Sequence, residues 1–517
     1  MFGLVLIFIS AILFLVILVY NIIKKKSNYW EKKNVPHLRP LPFFGNYKDY
    51  ILLKLPIGDV LQDLCEQFPD KPYFGTYYGT EPALVIQDPN LLKLILTKDY
   101  YYFNGRDVSD YCDIEPTTKS LFFTYGDQWK ILRQNLSPIF TSAKMKNMFP
   151  LIEHCAQTFE KLLEEQTYNI KVVELKRLMG AFTLDCVGFC SFGVDMGAMR
   201  NSKDNPFVRA GEKVFERTYF RGIKNIVRNI WPALFYFLNL RFFPDDLSDF
   251  FIKLLTDVFQ ERQYKPTNKQ DFVDMILTLK NNNANITGDS IHNLVTGERK
   301  KVSMEVTKEV LIGQCLSFFG AGFETSATTL TLTVYELAKN VKAQKRAVEE
   351  VDDYLLKHDN KLYYDILTEL PYLDACLDEA LRLYPVLGNL TREVMRDYTF
   401  PDGLKVEKGM RIHIPLNYMQ RCSIFFPEPK SFHPERFLPE ERHKIMPYTY
   451  MPFGEGPRIC IGLRFAKMQM LAGLITLFKN YTLETDETTP TKIMFDTRSI
   501  VNHPSCDINM KLVPRIK

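Results

Sequence analysis

Phe453-Gly454-Glu455-Gly456-Pro457-Arg458-Ile459-Cys460-Ile461-Gly462 is the stretch on which the reading turns. Two glycines and a proline ahead of the cysteine make a turn, and the run to about Leu477 has the pattern of a helix. The cysteine is therefore expected to open that helix. The partial positive charge of a helix N-terminus and the full charge of Arg458 both favour thiolate over thiol. Gly456 and Gly462 carry no side chain, which leaves room for a flat, bulky group near the sulfur. Such a place suits a soft metal held by one thiolate. In isolation, a cysteine in a loop-to-helix turn reads better as a small, buried apolar residue, which is the reading for the rest of the ten cysteines. No C-x-x-C occurs, and no cysteine stands at zinc-ligand spacing from a histidine.

Upstream, Glu379-Ala380-Leu381-Arg382 lies in a segment, Leu373 to Tyr384, that reads as a helix ended by Pro385. Acid and base three apart share a face, and such a pair on a surface is worth little. Met304 to Lys339 reads as one long helix, with Ser303 as N-cap and Glu305 in its first turn. At ~1.5 Å per residue it runs about 50 Å, and its apolar middle implies a central, buried position. Gly320 and Gly322 each cost about 1 kcal/mol relative to Ala inside a helix, so a local distortion is expected there. Beside them, Ala321-Gly322-Phe323-Glu324-Thr325 offers an acid and a hydroxyl able to relay protons through water. The alternative is helix packing with a threonine back-bond. Asp127 to Leu136 reads as a helix stopped before Pro138, with Trp129 and Arg133 on one face. Leu404-Lys405-Val406 and Arg411 to Ile414 read as short strands. The class is mainly α with small β-sheets, an α+β fold.

The stretch around Cys460 resembles the haem-binding signature of the cytochromes P-450, Phe-x-x-Gly-x-Arg-x-Cys-x-Gly, with Phe453, Gly456, Arg458, Cys460 and Gly462 at its fixed positions. Other motifs of that family follow in the expected order. Glu379 and Arg382 are similar to its Glu-x-x-Arg, and with Arg436 of Pro434-Glu435-Arg436-Phe437 they resemble its structural charge triad. Ala321 to Thr325 resembles its oxygen-activation motif. The resemblance implies the cytochrome P-450 fold, haem b with Cys460 as axial thiolate, and Glu324 and Thr325 as the catalytic proton-handling pair. It implies cofactor contacts from Trp129, Arg133, Arg392, Phe453, Arg458 and Arg106, the arginines facing the haem propionates. It implies a substrate pocket bordered by Phe122, Phe319, Ala321, Val386, Leu387 and Leu390. Ser137-Pro138-Ile139-Phe140-Thr141-Ser142 and Ala321 to Thr329 look most like the insect xenobiotic-metabolising family 6 group of the microsomal class. Many relatives carry a histidine where this chain reads Tyr418-Met419-Gln420-Arg421-Cys422, a departure that bears on subfamily rather than chemistry.

At the other end, Phe2 to Ile23 is nearly all apolar, and Lys24, Lys25 and Lys26 follow directly. Twenty-two residues at ~1.5 Å span about 33 Å, the depth of a bilayer core. No cation precedes the run and no A-x-A follows it, which favours an anchor over a cleaved signal. The positive-inside tendency places the body on the cytosolic side, and with the resemblance this implies the endoplasmic reticulum membrane. The expected organisation is a transmembrane signal-anchor over 2–23, a basic and proline-rich hinge over 24–45, and one haem-binding catalytic domain over 46–517. Ile230 to Pro244, rich in Phe, Tyr and Trp, reads equally as core or as a segment dipping into membrane lipid.

Apolar residues make up 46% of the 517, enough for a large core, and the net charge is only +4, too small a bias for nucleic acid. No complete G-x-G-x-x-G occurs, and only 57 residues follow Cys460, too few for a flavin or nicotinamide domain. Electrons from NADPH are therefore expected from a separate partner, NADPH-cytochrome P-450 reductase, with cytochrome b5 as a second candidate donor. Lys130, Lys144, Lys146, Arg464 and Lys467 are candidates for its basic docking face, each alone reading as solvated charge. The expected function is insertion of one oxygen atom of O₂ into a hydrophobic small molecule: a xenobiotic or insecticide, a plant toxin, a steroid or a fatty acid. The rivals are an isomerase or dehydratase of the same family that does not use O₂ and, remotely, a non-enzymatic single-pass membrane protein.

Overall fold

The computed structural model describes residues 10, 21, 24–106, 109–111, 113–169, 172–201, 204–269, 271–282, 285–292, 297 and 300–516. The expected anchor over 2–23 lies almost wholly outside them. Among the described residues no helix is long and apolar enough to cross a membrane.

Among the described residues helices dominate, and four small sheets flank them. The elements that position the site are α1 (Gly126–Leu136), α2 (Leu175–Val187), α3 (Tyr219–Ile230), α4 (Pro232–Phe237), α5 (Lys308–Lys339), α6 (Pro371–Leu383) and α7 (Leu463–Asn480). The largest sheet joins β1 (Tyr73–Tyr78), β2 (Glu81–Ile86), β3 (Leu390–Glu393) and β4 (Arg411–Ile414) in the order β1-β2-β4-β3. Only the β2–β4 pairing is parallel, with Leu84 opposite Ile412.

Helix α5 is the central beam. It is α-helical without a break from Lys308 to Lys339, so Gly320 and Gly322 do not distort it. Its start differs from the expected Met304: Lys301–Glu305 is instead a strand of a hairpin with Asn285–Asp289. The cap falls to Thr307, whose hydroxyl accepts from the Val310 N–H at 3.4 Å. By residue type Ser303 is the better cap of the two; its place in the hairpin strand overrides that preference.

The expected hinge is docked rather than free. Trp30 is fully buried and its indole donates to the Thr76 carbonyl on β1 at 2.8 Å. Gly75 makes the seat, because a Cβ there would stand 2.4 Å from the Trp30 ring. Lys26 pairs with Glu81 of β2 at 2.6 Å, and Tyr77 donates to the Ser27 carbonyl at 2.6 Å.

Candidate functional site

The loop from Phe453 to Gly462 is closed by the Cys460 N–H donating to the Phe453 carbonyl at 2.8 Å. Gly456 has φ of 72°, and a Cβ on it would lie 1.9 Å from the Leu96 carbonyl oxygen. Only glycine fits this loop against residues 94–98. Helix α7 starts at Leu463, so Cys460 precedes the helix rather than opening it. Its thiol keeps accessible surface within a densely packed part of the protein. Burial pushes the thiol up; the Gly462 N–H, Arg133 and Arg106 oppose that. Arg458, expected to act on the sulfur, is engaged elsewhere.

Arginines converge beside that thiol. Arg458 donates to Tyr100 Oη at 3.1 Å and to the Thr124 carbonyl at 2.6 Å, and lies 4.8 Å over the Trp129 ring. Arg133 donates to the Ile459 carbonyl at 2.8 Å. Arg392, on β3, donates to the Thr391 carbonyl at 2.8 Å, and its buried Nε has no partner. Arg106 donates to the Phe122 carbonyl at 3.3 Å and stacks 4.4 Å over the Phe122 ring. Burial and the charge of Arg458 bring Arg392 down to about 10; burial, Arg458 and Arg392 push Arg106 well down. These guanidiniums repel one another, and among the described residues no carboxylate offsets the charge of Arg392. A cationic chamber of this kind fits an anion, and the guanidinium fork fits carboxylates best.

Helix α5 faces the same region. In its buried middle, Ala321 is exposed and Gly322 and Thr325 are half-buried, so the helix borders an internal space there. Gln469 of α7 donates to the Gly322 carbonyl at 3.0 Å and to Ser326 Oγ at 2.6 Å, which ties the Cys460 side to this point of α5. The Thr325 hydroxyl donates to the Ala321 carbonyl at 2.5 Å, the back-bond weighed above. Glu324 points into a buried cluster: Lys176 of α2 at 2.8 Å and His503 Nδ1 at 2.7 Å. Burial opposes its charge, but Lys176 and His503 outweigh burial and bring the carboxyl down to about 2.

Glu379 and Arg382 are fully buried and bidentate, at 2.7 and 2.8 Å. Arg382 also donates to the carbonyls of Gln420 at 2.9 Å and Pro429 at 2.9 Å, and Glu379 accepts from the His433 N–H at 2.8 Å. Arg436 stands farther off, 3.5 Å from Glu379. The expected triad is thus a tight pair with an outlying third member.

The expected pocket residues differ in exposure. Phe122 is exposed, and Leu387 and Leu390 are half-buried. Val386 is buried against Leu381 and Val501, and Phe453 packs on the same small cluster. Phe319 is a correction: it is fully buried in the aromatic core, 4.7 Å from the Phe251 ring, with no surface for a ligand. Lys467 is another: Asp374 at 2.5 Å and Asp378 at 2.7 Å neutralise it, so it is no docking cation. Lys176, His503, Tyr100 and Gln469 were not singled out in the sequence. Each is a single polar residue without a motif, and only the fold brings it to the site.

The protein-family model described as Cytochrome P450 matches residues 35–508. Among curated proteins the chain is similar to "Cytochrome P450 6k1" of Blattella germanica, 33% identical over 94% of this chain and 93% of that one. It is 32% identical to "Cytochrome P450 6B2" of Helicoverpa armigera over 98% of both. "Cytochrome P450 6a2" of Drosophila melanogaster is 33% identical over 92% and 93%. One family accounts for nearly the whole length, relatives align to it end to end, and the chain belongs to the cytochrome P450 family of haem-thiolate monooxygenases.

Proposed function

We propose that this enzyme inserts one oxygen atom of O₂ into a hydrophobic small molecule, a xenobiotic or a lipophilic endogenous compound, with NADPH electrons delivered by a separate reductase. The observation that carries this is the cationic chamber beside one enclosed thiol, tied through Gln469 to the opening in α5. The residues present fit haem: Cys460 would ligate the iron through its sulfur, and Arg392, Arg458, Arg106, Arg133 and Trp129 would hold the propionates. The orphaned Arg392 Nε supports that fit, since a buried unpaired guanidinium nitrogen costs free energy that a carboxylate would relieve. When bound, the haem supplies oxygen activation, helped by electron donation from the thiolate. Thr325 would present a hydroxyl to protons arriving through water. Glu324 would act as the ionised end of a Lys176–Glu324–His503 cluster that sets where those protons enter.

The surface supports the membrane and electron-donor expectations. Tyr219, Phe220 and Ile223 on α3, with Leu234, Phe237 and Leu238 on and just after α4, form an exposed apolar patch in which Phe237 is 85% exposed. A patch of this kind suits membrane lipid; Phe235, Phe242 and Phe243 of the same stretch are core. Lys144, Lys146 and Arg464 remain exposed as candidate contacts for an acidic donor protein. Behind the Cys460 loop, a cleft of about 420 Å³ is lined by Trp129, Lys130, Arg133, Gly456, Pro457 and Ile459.

The test is the full chain reconstituted with reductase and NADPH under ¹⁸O₂, with a panel of lipophilic substrates. One labelled oxygen atom per product is expected; turnover without O₂ uptake would leave the isomerase reading. In the same assay Thr325→Ala lowers the ratio of product to NADPH consumed by about 10-fold, less than the roughly 100–10,000-fold that positioned proton transfer contributes, because water still carries some protons. An unchanged ratio would remove Thr325 from the proton path.

A further inference from the structure

Helix α3 has two faces that do opposite things. Its outer face carries the apolar patch. Its inner face carries Arg221, Asn225 and Arg228 at positions i, i+4 and i+7, only 3%, 7% and 2% exposed. Nη1 and Nη2 of Arg221, Nη2 of Arg228 and Oδ1 of Asn225 have no hydrogen-bond partner. Two carboxylates, Glu216 and Glu115, act on Arg221 from a distance, and Glu115 is occupied. It accepts from the Phe242 N–H at 2.9 and 3.0 Å and from the Tyr236 hydroxyl at 3.0 Å. Arg228 reaches that group only indirectly, donating Nε to Tyr236 Oη at 3.0 Å. Neither arginine has an ion-pair partner among the described residues. Lys224, half-buried on the same helix, is brought down to about 8 by burial and by Arg221.

The surroundings are aromatic. Arg228 lies 4.6 Å from the Phe242 ring and 5.4 Å from Phe123, and Arg221 lies 5.5 Å from Phe242. Phe123 is edge-on to Phe122 at 5.0 Å, and Arg106 covers Phe122. An aromatic wall thus runs from the chamber beside Cys460 to the inner face of α3. Cation–π contact compensates the arginines only in part. Buried guanidinium donors without acceptors cost free energy, and an entering anion would relieve that cost.

We propose that Arg221 and Arg228, with Asn225 between them, form an anion-binding end of the substrate channel, and that this enzyme takes amphiphilic carboxylates whose apolar tail lies along Phe123 and Phe122 toward Cys460. The inference rests on the monooxygenase reading for its chemistry, but not for its binding. The guanidinium fork accepts a carboxylate bidentately, and the Asn225 amide can donate by turning over.

The probes are dodecanoic acid and its methyl ester, matched in tail and differing in charge. Equilibrium dialysis with labelled probes on the full-length haem-loaded chain reads binding without turnover. The acid is expected to bind at least about 10-fold tighter than the ester, with Arg221→Met weakening the acid by about 10–100-fold and the ester by less than about 2-fold. Arg221→Lys keeps part of the preference, because charge survives and the fork does not. Equal affinity for the two probes in the unaltered protein overturns the proposal even where Arg221→Met fails to fold. Tighter binding of a short-chain phosphatidic acid than of dodecanoate also overturns it, assigning the face to a lipid headgroup. A preparation that prefers the acid but gives no labelled oxygen in product would sink the monooxygenase reading and leave this one standing.

Discussion

Cys460→Ala yields a folded protein that has lost the thiolate-type absorption of its ferrous carbon monoxide complex and has no measurable oxygen insertion. The expected fall in activity exceeds the roughly 10–100-fold that follows when only an outer-shell partner of a metal ligand is removed. Size argues that the fold survives: the side chain loses one sulfur atom, and the loop is held by the Cys460 N–H to Phe453 carbonyl bond, which alanine keeps. Circular dichroism and thermal unfolding check that. The nine cysteines among the described residues are all free, and six of them are buried in cores. None of those six has Cys460's combination of accessible surface and neighbouring guanidiniums. A thiolate-type spectrum retained by the variant would hand the ligand role to another residue and undo the reading of the chamber.

Glu379→Ala is expected to cost about 3–5 kcal/mol, because it strands Arg382 as a buried, uncompensated cation. That is a large share of the roughly 5–15 kcal/mol by which a domain is stable. The variant should accumulate poorly and lose haem, as read by denaturant unfolding and by haem per polypeptide. Arg382 ties α6 to the segments carrying Gln420, Pro429 and Ser431, so the loss spreads beyond the pair. Arg436→Ala is the internal control. At 3.5 Å from Glu379 and partly exposed, it should cost about 1 kcal/mol or less. Equal costs for the two variants would show the three charges acting as one unit, against the geometry.

Much of this site was legible in the sequence because its parts are local. The turn that presents Cys460 needs glycines within a few residues of the sulfur, and Glu379 and Arg382 meet across one helical turn. The unread parts are non-local. His503 reaches Glu324 from 179 positions away, and nothing about a lone histidine before a proline announces that. Arg221 and Arg228 carry no motif, and charged residues on a helix by default face water. Here they are buried together with Ile226 and Ile230, while Tyr219, Phe220 and Ile223 face outward. Periodicity finds the two faces of a helix but not which is turned to the core. The start of α5 failed differently: Ser303 is by type a better cap than Thr307 four residues on, and the choice was made instead by a hairpin partner at Asn285–Asp289.

Residues 24–45 deserve a mechanical reading. With Trp30 seated over Gly75, Lys26 clasped by Glu81 and Ser27 held by Tyr77, this stretch cannot serve as a swivel. A tug arriving through Lys24 is passed straight into the edge of β1 and β2. From Lys24 onward the chain therefore moves as one piece with β1 and β2, and the apolar patch of α3 and α4, tied to the same sheet through Trp231 and Thr80, keeps a fixed relation to it.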